Sequence, residues 1–313
     1  MTKLATKRKW LFADYYDKWI QTYKEGVVAS ATYTKYLMTA KWIRTLTGEM
    51  KMEQLDRSEM QSLVNRYAQT HEKVTTQDFV TQIRAAITDA IDEGILTRNP
   101  MIRIVIKGKE PTRKKHKKYL ERDELDKLIK VLDLSGNDPT WDKFIFLLAK
   151  TGLRFAEALA LTPADFDLDN LTLTVNKTWD HKSSQGGFKP TKTPSSMRTI
   201  AIDYKTARII DRIIDQFPGD EPIFVHGKRV FDSTVNTHLK RLCEKAGITV
   251  ITCHGLRHTQ ASVLIANSIP IMVVSKRLGH ANVSTTQETY AHLLKDTEHK
   301  ADDKISMIMA SLG

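Results

Sequence analysis

The chain has only two cysteines, Cys243 and Cys253, in 313 residues. Two thiols cannot build a disulfide framework, and such sparing use suits a reducing cytoplasm. No long apolar run is present, so a transmembrane span is not expected, and no membrane is among the expected partners. The opening stretch MTKLATKRKWLF is basic but lacks an apolar h-region and a small-residue cleavage site, so it does not read as a signal peptide. No internal repeat or low-complexity tract interrupts the sequence. Acidic residues are in deficit: 37 Asp and Glu face 48 Lys and Arg, a formal net charge of +11. That excess favours a polyanionic partner. Taken alone, it equally suits a merely soluble basic protein, and it would also suit an anionic membrane surface.

What is present is ample apolar material. Hydrophobic residues make up 41% of the chain, enough for two ordinary cores, and the length is a soft prior for two domains. The first hundred residues read as helices. Leu11, Tyr15, Trp19 and Tyr23 fall at helical spacing, and Gly26 breaks the pattern. Ser30 is expected to cap a second helix running to about Leu46, before Gly48. Ser58 to Ala68 and Thr75 to Ile91 read as a third and a fourth, stopped by Gly94 and Asn99-Pro100. Residues 1–106 are therefore expected to form a small all-helical domain.

Residues 107–118 read KGKEPTRKKHKK, with seven Lys or Arg and one Glu. Pro111 and like-charge repulsion predict an extended linker. A basic strap between two domains can also follow a phosphate backbone, through Arg113, Lys114, Lys115, Lys117 and Lys118.

Residues 119–313 are expected to form the second domain. Arg122 to Leu132 reads as helix. Trp141 to Leu161 reads as two helices meeting near Thr151-Gly152. Leu171, Leu173 and Val175 alternate with polar residues, which is strand chemistry, and Met197 to Ile202 reads as a returning strand. Thr206 to Phe217 is helical again. From Thr234 on, helical segments break at Gly247, Pro270 and Gly279. The expected fold class is mainly α with a small β-sheet (α+β).

Three segments concentrate polar residues on apolar helices. In Thr151-Gly-Leu-Arg154-Phe-Ala-Glu157, Arg154 and Glu157 are three apart and share a face. An Arg among Leu, Phe and Ala is costly to bury without an anion. Glu157 is one such anion, giving a structural pair. Alternatively Glu157 orients the guanidinium while its free donors bind phosphate.

In His254-Gly-Leu-Arg257-His258, a guanidinium beside an imidazole suits a phosphoryl group, one neutralising charge and the other moving a proton. His254 and His258 also have a zinc-pair spacing. The Glu of His-Glu-x-x-His is absent and no Cys pair adds ligands, so no metal site is expected. In the third segment, Leu278 to His292, Ser284 and Gln287 have capping-box spacing and predict a helix start. Tyr290 then falls in its second turn, with His280 just before the helix. A lone tyrosine there equally suits packing with a satisfied hydroxyl.

Arg154, then His254-x-x-Arg257, then Leu278-Gly279-His280, then Tyr290 ten residues on: together this order resembles the signature of the tyrosine recombinase (phage integrase) family. That family places a lysine in a β-hairpin between the first arginine and the histidine motif. Phe188-Lys-Pro-Thr-Lys192-Thr-Pro-Ser-Ser-Met-Arg198-Thr-Ile is similar to that hairpin, with Lys192 the matching residue and Lys189 a second candidate. The resemblance covers the C-terminal domain. The N-terminal part resembles the family's helical core-binding domain in size, helix content and position. A further arm-site-binding domain, common among mobile-element integrases, is expected to be missing or removed.

The resemblance implies a site-specific DNA recombinase that works through a 3′-phosphotyrosine at Tyr290, without ATP, metal or other cofactor. Arg154 and Arg257 would hold the non-bridging oxygens and Lys192 would protonate the leaving 5′-oxygen. His254 would assist proton transfer with Tyr290, His280 would hydrogen-bond the phosphate, and Glu157 would support from behind. The implied partners are double-stranded attachment-site DNA and a homo-tetramer on that DNA, with a host- or element-encoded DNA-bending or excision factor as a further candidate. Localisation would be cytoplasmic, at the nucleoid. In the tail, Ile305, Ile308, Met309 and Leu312 form an apolar stripe. The resemblance implies that this stripe docks on a neighbouring subunit, with docking on its own domain as the alternative. Type IB topoisomerase chemistry, a non-catalytic DNA-binding protein and a metal-dependent nuclease are the rival readings.

Overall fold

The structure is a computed structural model. It describes residues 10–110, 119–183, 185–191, 193–225, 227, 229–291, 306–307 and 309–312. The chain divides into two compact units, Met1–Lys115 and His116–Gly313.

In the first unit, four helices enclose an apolar core: α1 (Phe12–Tyr23), α2 (Ser30–Thr47), α3 (Arg57–Ala68) and α4 (Lys73–Asp92). Phe12, Tyr16, Trp19, Ile43, Met60, Leu63, Phe79 and Ile83 are fully buried within it. The helical spacing of α1 is what turns Tyr16 and Trp19 inward together. The Trp19 indole N–H donates to Asp89 of α4 at 2.6 Å, satisfying the polar edge of a buried ring. Asp56 caps α3 by accepting the Glu59 N–H at 2.8 Å. Ser30 does not cap α2. It is the first helical residue, Ala29 holds the cap position, and the Ser30 carbonyl accepts from the Thr34 hydroxyl.

The second unit runs α5 (Arg122–Val131), α6 (Trp141–Thr151), α7 (Phe155–Leu159), β1 (Phe166–Asp167), β2 (Thr172–Val175), β3 (Lys177–Trp179), β4 (Phe188–Pro190), β5 (Arg198–Ala201), α8 (Tyr204–Ile214), α9 (Asp232–Ala246), α10 (Cys253–Ala266) and α11 (Ile271–Leu278). A last helix, α12, spans residues 283–291. The mainly helical fold with a small antiparallel sheet is as expected.

Within helix α6 the run from Phe144 to Ala149 is apolar on every side, which requires burial all round. Residues Phe144 to Ala149 are buried, and α10 packs along the helix. Lys143 is buried in the same helix. Its ammonium donates to the carbonyls of Gly136 and Asp138 at 2.9 and 2.7 Å. Strands β1, β2 and β5 form one antiparallel sheet, with Leu173 opposite Ile200 and both facing the core. Strands β3 and β4 form a separate antiparallel pair, Thr178 opposite Lys189.

Arg113, Lys114, Lys115, Lys117 and Lys118 of the basic strap lie outside the described residues, as do Lys192, Ile305 and Ile308. In the tail, Met309 and Leu312 are exposed. None of the helices among the described residues is long and apolar enough to cross a membrane.

Candidate active site

The site starts where α6 stops. Gly152 ends that helix in the left-handed conformation, φ +68°. That backbone conformation favours glycine, and a Cβ there would lie 2.4 Å from the Gln260 side-chain oxygen, so the Gln260 side chain would have to move. The turn delivers Arg154 to the N-cap of α7, and Glu157, three residues on, accepts the Arg154 backbone N–H at 3.0 Å. The same carboxylate takes the Arg154 guanidinium at 2.6 Å. Arg154 Nη2 donates to the Gly279 carbonyl at 2.8 Å.

Arg198 reaches Glu157 from the other side. Strand β5 turns Arg198 inward, and its Nη2 donates to Glu157 at 2.9 Å. Its Nε donates to the Arg277 carbonyl at 2.6 Å. Glu157 is thus a buried carboxylate held between two guanidiniums. Burial works to raise its pKa and is the largest single influence. The hydrogen bond and charge of Arg198, with Arg154 behind them, outweigh it and hold the carboxyl below its usual range. Glu157 thus makes the structural ion pair, and the Arg154 side chain it holds is 38% accessible.

Arg257 comes from α10, whose first turn is capped by Thr252 accepting the Gly255 N–H. The Arg257 side chain is buried, and its Nη1 donates to the Gly152 carbonyl at 2.8 Å. Its Nη2 is buried and has no hydrogen-bond partner among the described residues. Burial pushes the Arg257 pKa down to about 9, and the neighbouring Arg154 charge acts the same way. An arginine keeps its charge at neutral pH even so. A buried cation with an unmet donor is costly, and an anion placed there would relieve it.

His280 follows Gly279, the left-handed end of α11 at φ +70°. Its Nδ1 lies 2.7 Å from the hydroxyl of buried Thr286. Burial, then the charges of Arg257 and Arg154, push its pKa down to about 4, so the ring is neutral at neutral pH.

Helix α12 carries Tyr290. Its cap is Asn282, two residues before the Ser284 that the Ser284–Gln287 spacing predicts, and the Asn282 side-chain oxygen accepts the Ser284 N–H at 3.0 Å. Tyr290 is buried against Ala261, Ile265, Val274 and Leu278. Its hydroxyl lies 2.8 Å from Nδ1 of His258. Burial raises the phenol pKa to about 12, opposed by the charge of Arg257.

Four of the six expected catalytic residues are tied into this constellation by direct contacts or charges: Arg154, Arg257, His280 and Tyr290. The fifth, His254, is exposed on the first turn of α10. Its ring meets His258 edge-on, with centroids 4.7 Å apart. The sixth, Lys192, lies outside the described residues, just beyond β4. Lys189 is engaged with Asp180 at 2.6 Å on the β3–β4 pair. Among the described residues no group of three His, Cys, Asp or Glu side chains could hold a metal ion.

Sequence reasoning missed Arg198 and the contact between His258 and Tyr290. A signal for Arg198 existed: strand alternation puts it on the same face as buried Ile200. A cation on an inward face needs an anion, and Glu157 is that anion. No such signal pointed to His258, because its partner lies 32 residues away on another helix.

The chain matches the phage integrase family over residues 118–297 and the phage integrase N-terminal SAM-like domain over residues 11–68. It is 26% identical over 290 residues to the integrase of Staphylococcus phage L54a, covering 82% of this chain and 81% of that one. It is 25% identical over 251 residues to the ICEBs1 integrase of Bacillus subtilis strain 168, covering 75% and 66%. Among solved structures, the Tn1549 transposon integrase in complex with transposon right-end DNA superposes with a TM-score of 0.77 at 19% identity, covering 95% and 100% of the two chains. A lambda integrase dimer bound to a core site gives 0.64 at 18%, covering 90% and 77%. The chain belongs to the phage integrase family, the tyrosine recombinases that cleave and rejoin DNA.

Proposed function

We propose that this recombinase integrates or excises a mobile element, with Tyr290 as the nucleophile that forms a 3′-phosphotyrosine and releases a 5′-hydroxyl. The observation that carries the reading is the buried, unpartnered Nη2 of Arg257. It marks a place built for an anion, and Arg154 is its charged neighbour. A scissile phosphate there would receive two guanidiniums. They would stabilise the extra negative charge of the pentavalent transition state by preorganised electrostatics. Neutral His280 would add a hydrogen bond, and Lys192 would protonate the leaving oxygen. His254, at the exposed edge, would bear on the tyrosine proton through His258. Glu157 would keep Arg154 aimed. Because the covalent intermediate keeps the phosphodiester energy, rejoining needs no ATP.

The DNA-bound structures of the Tn1549 and lambda integrases support double-stranded DNA as the partner. Four subunits would join two attachment sites at the nucleoid, with the basic strap following phosphates and the tail stripe docking on a neighbour. A bending or excision factor would bias the direction.

The test is a panel of attachment-site duplexes carrying a nick beside the scissile phosphate, so that the cleaved fragment diffuses away. The wild type should trap as a covalent protein–DNA complex. Tyr290→Phe should bind the same DNA and trap none, because it lacks only the nucleophilic oxygen. Trapping by the phenylalanine variant at normal yield would overturn the assignment.

A further inference from the structure

We infer that His258 is the group that takes the proton from Tyr290 during strand cleavage, a role that the family resemblance implies for His254. The inference rests on the recombinase reading above. The Tyr290 hydroxyl is the reacting atom, and among the described residues the side chain at hydrogen-bond distance from it is His258, Nδ1 to Oη 2.8 Å. The two rings are tilted at 59° with centroids 5.9 Å apart, so the contact is edgewise through the heteroatoms rather than a stack.

The need for such a group follows from where Tyr290 sits. The phenol is almost wholly buried among Ala261, Ile265, Val274 and Leu278. An apolar seat disfavours the phenolate, and its pKa is pushed up to about 12. Arg257 favours the anion but does not cancel the burial. The nucleophile therefore needs a base that accepts the proton as the bond to phosphorus forms.

The surroundings suit His258 for this. It follows Arg257 on α10, so the helix that brings a cation to the phosphate also brings an acceptor to the tyrosine. Among the described residues, the titratable and charged groups around it include His254 on α10, Tyr290 on α12, His280 at the end of α11, and the guanidinium of Arg257. His280 stays neutral in this company. In the tautomer that carries its proton on Nε2, His258 would offer Nδ1 to the hydroxyl.

The step balances. The Tyr290 Oη–P bond forms and the P–O5′ bond breaks. The phenol proton passes to His258 Nδ1, making an imidazolium. The leaving O5′ takes a proton from the general acid, for which Lys192 is proposed. In rejoining, the 5′-hydroxyl attacks, its proton returns to the acid, and His258 gives its proton back to the tyrosine oxygen.

The test uses the full chain and the nicked duplexes described above. Covalent complex is followed in single turnover across a pH series for the wild type, His258→Asn and Tyr290→Phe. DNA binding and thermal unfolding are measured beside it. Asparagine keeps a hydrogen-bonding group near the Nδ1 position but is not a base. At neutral pH His258→Asn should bind DNA like the wild type and cleave about 100-fold slower or worse, the usual yield of a general base. The gap should narrow as pH rises, because hydroxide then ionises the phenol directly.

Wild-type rates for His258→Asn, or a defect of constant size at every pH, would overturn the role of His258. If asparagine lowers the unfolding midpoint, His258→Gln is measured by the same criteria. The two readings fail separately. A wild type that forms no covalent complex on any duplex, or a Tyr290→Phe variant that forms it normally, sinks the recombinase chemistry. A normal wild type, an inactive Tyr290→Phe and an unimpaired His258→Asn sink only the histidine.

Discussion

His280 sits half-buried between the Thr286 hydroxyl and the charges of Arg257, Arg154 and Arg198, and its chemistry is set by that company. Its pKa in the folded chain is pushed down to about 4, while an unfolded histidine titrates near ~6.5. Between those values the unfolded chain takes up a proton that the folded chain refuses. Stability is therefore fully present above the unfolded value and is lost as pH falls towards about 4. Replacing His280 by Asn should flatten that loss. Thermal midpoints of both proteins, taken from pH 7.5 to 4.5 in steps, should converge at the acid end; parallel curves would mean that His280 does not resist protonation. The motif residues Arg154, Glu157, Arg257, His280 and Tyr290 could all be picked out along the chain. Their protonation could not, because it depends on burial and on charges carried by α7, β5 and α10.

At the scale of elements, two left-handed helix ends look alike in sequence and differ in consequence. Gly152 and Gly247 end α6 and α9 at φ +68° and +63°. A Cβ on Gly247 meets nothing within 4 Å, whereas one on Gly152 meets the Gln260 side chain at 2.4 Å and Leu278 at 3.0 Å. Gly247→Ala should cost only the left-handed penalty, roughly 1–2 kcal/mol. Gly152→Ala should cost more. It should also depress cleavage, since the Gly152 carbonyl anchors Arg257. Denaturant midpoints and trapped-complex yields for the two variants decide this, and equal effects would refute it. Helix existence was legible from periodicity. Cap identity was less so: Ser30 and Ser284 have the right chemistry, but Ala29 and Asn282 hold the positions from which the helices start. Strands β3 and β4 have three residues each, too short for alternation to show.

For the molecule as a whole, the net charge of +11 predicts steeply salt-dependent DNA binding. Neutralising Arg113, Lys114, Lys115, Lys117 and Lys118 together should flatten the dependence. For every phosphate that the strap no longer neutralises, the log–log slope on duplex DNA should fall by about 0.9. An unchanged slope, measured by titration at several salt concentrations, would reduce the strap to a tether. What the sequence by itself determined was the helical class, a two-part organisation, and the order of an arginine, a histidine–arginine pair, a histidine and a tyrosine. These are local or ordinal properties: periodicity, turn chemistry and spacing survive in one dimension. What only the tertiary structure decided was which groups meet. Glu157 joins Arg198 across 41 residues, Arg257 meets the Gly152 carbonyl across 105, and Tyr290 meets His258 rather than His254. The physical reason is that those pairings are made by packing helices and strands whose faces are chosen by their apolar sides. The polar partners meet where the core leaves them, so no spacing along the chain encodes the pairs.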